Sequence, residues 1–162
     1  MLGGNTLFGT DVLKKKTQRR SNVGILVAVV AMVAIPAAFF YIVQGGSGKS
    51  DIPWTHDIDG AFDNASSTGR PVMVDVYTDW CTYCKKMDRE TFSDQGVEEL
   101  ADYFVPLKVN GDDHGDFVSR YGIRGYPTVL FLDENGDELH RVEGYTKPSQ
   151  FQTAMKTALS GS

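Results

Sequence analysis

The 162-residue chain is poor in the residues that staple or metallate small domains, with only two cysteines and three histidines. Two thiols cannot build a disulfide-rich miniprotein or a four-thiolate zinc site. His56, His114 and His140 show no paired spacing that would complete such a site, so no metal ligand set is expected. The composition, 41% apolar and 23% charged, excludes a wholly disordered, collagenous or coiled-coil chain. Positive charge is scarce over most of the length. Residues 1–50 carry six basic and one acidic residue, whereas residues 51–162 carry ten basic and twenty acidic, a net charge of −10. Phosphate binding needs a basic face, so nucleic acid is not an expected partner.

One stretch has no charge at all. Val23 to Val43 runs 21 positions without Asp, Glu, Lys or Arg. At about 1.5 Å per residue such a helix spans roughly 30 Å, the thickness of a bilayer's hydrocarbon core. Lys14–Lys16, Arg19 and Arg20 lie just before it, and the nearly uncharged Gln44–Gly48 just after. The basic flank is expected in the cytoplasm, which sends the carboxy-terminal part outward. The expected layout is a cytoplasmic tail (1–21), a transmembrane signal-anchor helix (22–43), a flexible linker (44–53) and a folded domain (54–162). The domain is then extracytoplasmic, on a single-pass protein of the cell (inner) membrane, with the periplasm outside. A cleaved signal peptide is the rival reading; its apolar core is usually shorter, about 7–15 residues.

Beyond the linker, apolar periodicity alternates between helix and strand. Ile58, Ala61, Phe62 and Ala65 share one helical face, ended by Ser66–Pro71. Val72 to Tyr77 is a nearly continuous apolar run, as a strand covered on both faces requires. Val97, Leu100, Ala101 and Phe104 mark a helix capped by Ser93 or Asp94. Phe104 to Val109 reads as a strand, with Pro106 placing it at an edge or a bulge. Phe117, Val118 and Tyr121 suggest a short helix, and Thr128 to Leu132 a further strand. Asn135-Gly136 predicts a two-residue hairpin turn returning Leu139 to Val142 antiparallel. Phe151, Met155, Ala158 and Leu159 line a last helix that begins near Pro148. Crossover helices imply parallel pairing and the hairpin adds antiparallel pairing. The expected class is α/β, a mixed central sheet with helices on both faces.

The chemistry gathers at Cys81 and Cys84, in Asp79-Trp80-Cys81-Thr82-Tyr83-Cys84 between a strand and a helix. Thiols three apart on a first helical turn can close a small disulfide ring. The first faces unpaired N–H groups and the positive end of the helix dipole, which favours thiolate. A thiolate attacks a disulfide and the second thiol resolves the mixed disulfide. Cys81 is the expected nucleophile and Cys84 the resolving thiol. No cofactor is needed, because the cysteines carry the electrons.

Asp75 interrupts the apolar strand, where an ionised carboxylate is costly unless paired or protonated. Six residues before Cys81, it could lie beneath the thiols with a raised pKa and relay a proton to Cys84 through water. Its alternative is a strand-end acid reaching solvent. Lys108, on the neighbouring strand, is a candidate partner for it or else a surface lysine. Gly125-Tyr126-Pro127-Thr128 enters a strand through an X-Pro bond, where a cis peptide can occur. A cis bond there would expose the Tyr126 backbone to an extended substrate segment. Trp80, Thr82, Tyr83, Tyr126 and Pro127 are the expected substrate-contact residues.

Val74-Asp75-Val76-Tyr77-Thr78-Asp79-Trp80-Cys81 with Cys84-Lys85 resembles the active-site stretch of thioredoxins, and Tyr121 to Thr128 resembles their cis-proline loop. Gly144 falls where that family has a glycine after its last strand. The resemblance implies a thioredoxin fold over about Trp54 to Leu159. It implies attack by Cys81, resolution by Cys84, Asp75 and Lys108 as a buried acid and its partner, and a cis Pro127 beside the cysteines. Met87 to Phe104, with Thr91-Phe92-Ser93-Asp94, is similar to the terminal domain of periplasmic disulfide-interchange reductases. That branch passes electrons outward from a multi-span membrane partner. Thr82-Tyr83 replaces the Gly-Pro of cytosolic thioredoxins. The expected function is a membrane-anchored extracytoplasmic thiol–disulfide oxidoreductase, a reductase rather than an oxidant, that reduces protein disulfides, as in cytochrome c maturation or thiol repair, with a multi-span electron donor. The alternatives are a Cu(I) relay held by the two thiolates and a non-catalytic docking adaptor.

Overall fold

The computed structural model describes residues 49–161. The expected cytoplasmic tail, the transmembrane helix and residues 44–48 of the linker lie outside the described residues. Among the described residues, no helix is long and apolar enough to cross a membrane.

In chain order the elements are α1 (Ile58–Thr68), β1 (Val72–Tyr77), α2 (Thr82–Glu90), α3 (Gln95–Ala101), β2 (Val105–Asn110), α4 (Gly115–Arg120), β3 (Thr128–Leu132), β4 (Glu138–Glu143) and α5 (Pro148–Gly161). The four strands form one sheet in the order β2-β1-β3-β4. β1 runs parallel to β2 and antiparallel to β3, and β3 pairs antiparallel with β4. The sheet is mixed, as expected.

Strand alternation divides the interior in two. Val72, Val74 and Val76 of β1, with Val105, Leu107 and Val109 of β2, pack on one face with Ala61 and Ala65 of α1 and Phe117 of α4. Met73, Val129 and Phe131 pack on the other with Met87 of α2, Val97 of α3 and Phe151, Met155 and Ala158 of α5. Phe92, Phe104, Phe131 and Phe151 are fully buried, and Phe92 meets Phe151 edge-on at 5.5 Å. Asp75 points to this second face, opposite Lys108 in the parallel register.

Local chemistry sets the element ends. The Asp57 carboxylate accepts the Gly60 N–H at 3.1 Å and caps α1. α1 continues through the serines expected to break it, and Ser67 and Thr68 donate their hydroxyls back to the Asn64 carbonyl. It stops at Gly69, whose φ of 67° closes the helix. Asp94 caps α3 by accepting the Val97 N–H.

Two further expectations need correction. The linker to residue 53 is not wholly a tether. Ile52 is buried in the core, the Asp51 N–H donates to Glu98 Oε1, and Thr55 pairs in parallel with Leu107 of β2. Pro106 does not interrupt this pairing. It turns its missing N–H outward, and its carbonyl accepts the Thr55 N–H at 3.0 Å. The hairpin between β3 and β4 is longer than a two-residue turn. The Gly136 N–H reaches the Asp133 carbonyl, so Glu134 and Asn135 are the central pair. The Asp133 carboxylate accepts the Asn135 and Asp137 N–H groups, and Gly136 takes φ 83° behind the turn.

Candidate active site

β1 ends at Tyr77, and the chain turns through Thr78-Asp79-Trp80 into α2. Cys81 is the N-cap of α2, and its sulfur accepts the Cys84 N–H at 3.0 Å. A sulfur atom thus takes the place of the usual capping oxygen, against the free amide groups of the first turn. Cys81 and Cys84 are joined by a disulfide, with their Cα atoms 5.3 Å apart. Once reduced, Cys81 keeps an N–H donor and the positive helix end, both of which favour thiolate.

The cysteines are nearly covered, and their neighbours are not. Cys81 is 5% exposed and Cys84 4%, whereas Trp80 and Tyr83 beside them are 67% and 62% exposed. Two large aromatic side chains therefore stand in solvent around a nearly covered disulfide, an arrangement suited to meeting another protein. The Trp80 indole N–H donates to Asp112 Oδ2 at 2.9 Å, and its ring meets Tyr126 edge-on at 5.9 Å. Tyr126 lies over Gly111, where any Cβ would strike the phenol ring. The Tyr126–Pro127 bond is cis. Thr128 opposes Val76 in the register, so Pro127 sits at the end of β1 from which the cysteine loop leaves. Thr82 is exposed in the first turn of α2.

Beneath this surface lies a buried charge cluster. Asp75 is 2% exposed, and its Oδ2 is 3.1 Å from the Lys108 ammonium. Lys108 also reaches Asp88 Oδ1 of α2 at 2.5 Å. Burial pushes the Asp75 carboxyl up from 3.8 to about 6; Lys108 opposes the rise and Asp88 adds to it. Burial alone would draw Lys108 down, but Asp75 and Asp88 together outweigh it and hold the ammonium above its usual value. Asp75 Oδ1 is buried without a hydrogen-bond partner, the atom left to carry a proton.

The structure brings Trp80, Cys81, Thr82, Tyr83, Cys84, Tyr126 and Pro127 to one end of the sheet, and pairs Asp75 with Lys108. Three contributors were not apparent from sequence. Asp88 stands four residues after Cys84, one helical turn along α2, a spacing that could have indicated it. Asp112, two residues past β2, orients Trp80. Trp54 packs edge-on against Phe92 at 5.0 Å. Among the described residues no group of three or more His, Cys, Asp or Glu could hold a metal ion. A metal bound by Cys81 and Cys84 would have their two thiolates as its protein ligands.

The family model for a thioredoxin-like domain matches residues 58–159. The chain belongs to the thioredoxin-like family. Within that family it is 38% identical over 92 residues to the thiol:disulfide interchange protein DsbD of Actinobacillus pleuropneumoniae serotype 5b (strain L20). That match takes in 53% of this chain but 16% of the relative, so the chain spans a small part of the curated proteins it resembles. The solution structure of a thioredoxin from Thermus thermophilus superposes with TM-score 0.60 at 28% identity, covering 65% of this chain and 85% of that one. The oxidised carboxy-terminal domain of Neisseria meningitidis DsbD superposes with TM-score 0.57, covering 65% of this chain and 98% of that domain. At 24% identity it speaks for the shared fold. These relatives agree with the thioredoxin-like resemblance of residues 74–85 and 121–128.

Proposed function

We propose that the domain is a thiol–disulfide oxidoreductase that reduces protein disulfides outside the cytoplasm, tethered to the cell membrane by a helix at 22–43. The observation that carries the chemistry is the Cys81 sulfur at the N-cap of α2, disulfide-bonded to Cys84 and flanked by exposed aromatics. The 38% identity to a thiol:disulfide interchange protein supports the class of reaction. The uncharged run Val23–Val43 with its basic flank supports the tether and its orientation.

The cycle starts from the dithiol. The Cys81 thiolate attacks one sulfur of a target disulfide, forming a mixed disulfide and releasing the other target sulfur as thiolate, which takes a proton. Cys84 then loses its proton and attacks the Cys81 sulfur. The second target thiol leaves, and the Cys81–Cys84 disulfide closes. Two electrons have passed to the target. A dithiol on a membrane-embedded donor returns them by the same exchange in reverse. Asp75, with its pKa near 6 and its free Oδ1, accepts the Cys84 proton through water during resolution. The Tyr126–Pro127 segment, beside the cysteine loop, aligns an extended target strand.

The test is a trapping experiment in intact cells. A Cys84→Ser variant should accumulate mixed disulfides with exported proteins, and adding Cys81→Ser should abolish them. Reaction of the reduced domain with a membrane-impermeant maleimide in intact cells reads its location. Absence of trapped adducts overturns the exchange mechanism, and protection from the maleimide until the membrane is breached overturns the outward placement. A reduction potential like that of a strong oxidant would reverse the direction.

A further inference from the structure

We propose that Trp54, held on the strap that leads into the fold, is the positioning residue that keeps the Lys108 ammonium on Asp75. The proposal rests on the oxidoreductase reading above and names a part of that site outside the motifs around it.

The strap grips Lys108 at both ends. At the backbone, the Lys108 N–H donates to the Thr55 carbonyl at 2.8 Å, and the Thr55 N–H donates to the Pro106 carbonyl. At the tip, the Trp54 ring centre is 5.3 Å from Lys108 Nζ, with Tyr77 at 5.3 Å and Phe92 at 5.5 Å. Three rings thus surround an ammonium that two carboxylates share. Aromatic faces attract a cation without neutralising it, so they fix its place while leaving its charge to Asp75 and Asp88.

Trp54 itself is firmly placed. Ile52 is buried two residues before it, Thr55 is in the sheet edge one residue after it, and its ring packs on Phe92. Its indole Nε1 is buried without a hydrogen-bond partner. An indole kept where its N–H is unsatisfied is retained for its ring, and the charged neighbour of that ring is Lys108.

The ammonium has two places to go. Asp75 is 2% exposed, while the Asp88 side chain is 43% exposed at the surface of α2. A lysine that loses the Trp54 ring, with Tyr77 and Phe92 still beside it, shifts further toward Asp88, which it already touches, and away from Asp75. Asp75 then loses its opposing charge and holds its proton more tightly. The charged and titratable groups facing the pair are Asp88 from α2, the Tyr77 hydroxyl from β1, and Asp75 and Lys108 themselves. Trp54 and Thr55, the strap residues in contact with Lys108, carry no charge.

The test reads the Asp75 carboxyl directly by carbon-13 NMR titration of the full-length, aspartate-labelled protein in its disulfide form, with no substrate present. Lys108→Met sets the full rise in midpoint, about one pH unit or more for loss of an adjacent opposite charge. Trp54→Leu should raise the midpoint part of the way, and Trp54→Phe, which keeps a weaker ring in the core, by less. In the Lys108→Met background, Trp54→Leu should add nothing, because its effect acts through the lysine. An unchanged or lowered midpoint in both Trp54 variants, or an equal rise with and without Lys108, overturns the proposal. These results do not depend on thiol exchange. The positioning role can therefore fail while trapped mixed disulfides stand, and the reverse.

Discussion

Replacing Asp75 by asparagine should make the domain more stable at neutral pH and slower in catalysis. Folding raises the carboxyl from 3.8 to about 6, mainly by burial, so the native state binds the proton more tightly than the unfolded chain does. Between those two values the native state carries more protons, and stability falls as pH rises through the window. A rise of that size corresponds to a destabilisation of about 3 kcal/mol, absent below pH 3.8 and complete above about 6. Asparagine keeps the shape and removes the ionisation. Asp88 remains to pair Lys108 at 2.5 Å, so the lysine is not stranded. The expected gain is about 2–3 kcal/mol at a pH of about 7.5 and under about 1 kcal/mol near a pH of about 4. Urea unfolding at both pH values, followed by tryptophan fluorescence, measures it. In the same variant the resolving step should lose its pH dependence near 6, read from the decay of a preformed mixed disulfide. A gain of equal size at both pH values, or a loss at the higher one, would refute the idea that a buried carboxylate whose desolvation outweighs its Lys108 partner strains the native fold.

Two further variants probe other parts of the site and its support. Asp112→Ala removes the acceptor of the Trp80 indole. One net hydrogen bond is worth about 1 kcal/mol, so KM for a protein disulfide should rise about fivefold, while turnover of a small-molecule disulfide stays constant. Phe92→Ala empties a fully buried position between Trp54 and Phe151 and should cost about 3–5 kcal/mol in urea unfolding; a cost under about 1 kcal/mol would contradict the packing described.

Where one physical signal dominates a segment, the sequence was a good guide. β1 and β3 are apolar runs between polar breakers, and both strands fall where the runs lie. Asp75 stood out because a carboxylate in such a run demands a reason. The cysteine loop was legible because its spacing and its place before a helix have a chemical meaning of their own. Other features depend on contacts that no window reveals. Ile52 is a lone apolar residue in a polar stretch, and only the exposed edge beside Pro106 makes it part of the core. The hairpin turned on the Asp133 carboxylate, whose two accepted N–H groups outweigh the local preference of Asn135-Gly136. Asp88 reads as an ordinary solvated helix charge until folding brings Lys108 to it. Proton control here is built by neighbours in space, whereas the thiols are neighbours in sequence.

The short pairing at Thr55 changes what the sheet offers to strangers. With β2 covered along part of its outer side, the long unpaired border among the described residues is β4. That border carries Glu138, Arg141 and Glu143, with the guanidinium bound to both acids. An incoming strand would have to strip those ions before it could zip on, a deterrent to fibril-like stacking. The edge of the sheet is thereby guarded by charge, while the sulfur-bearing end is ringed by exposed aromatics.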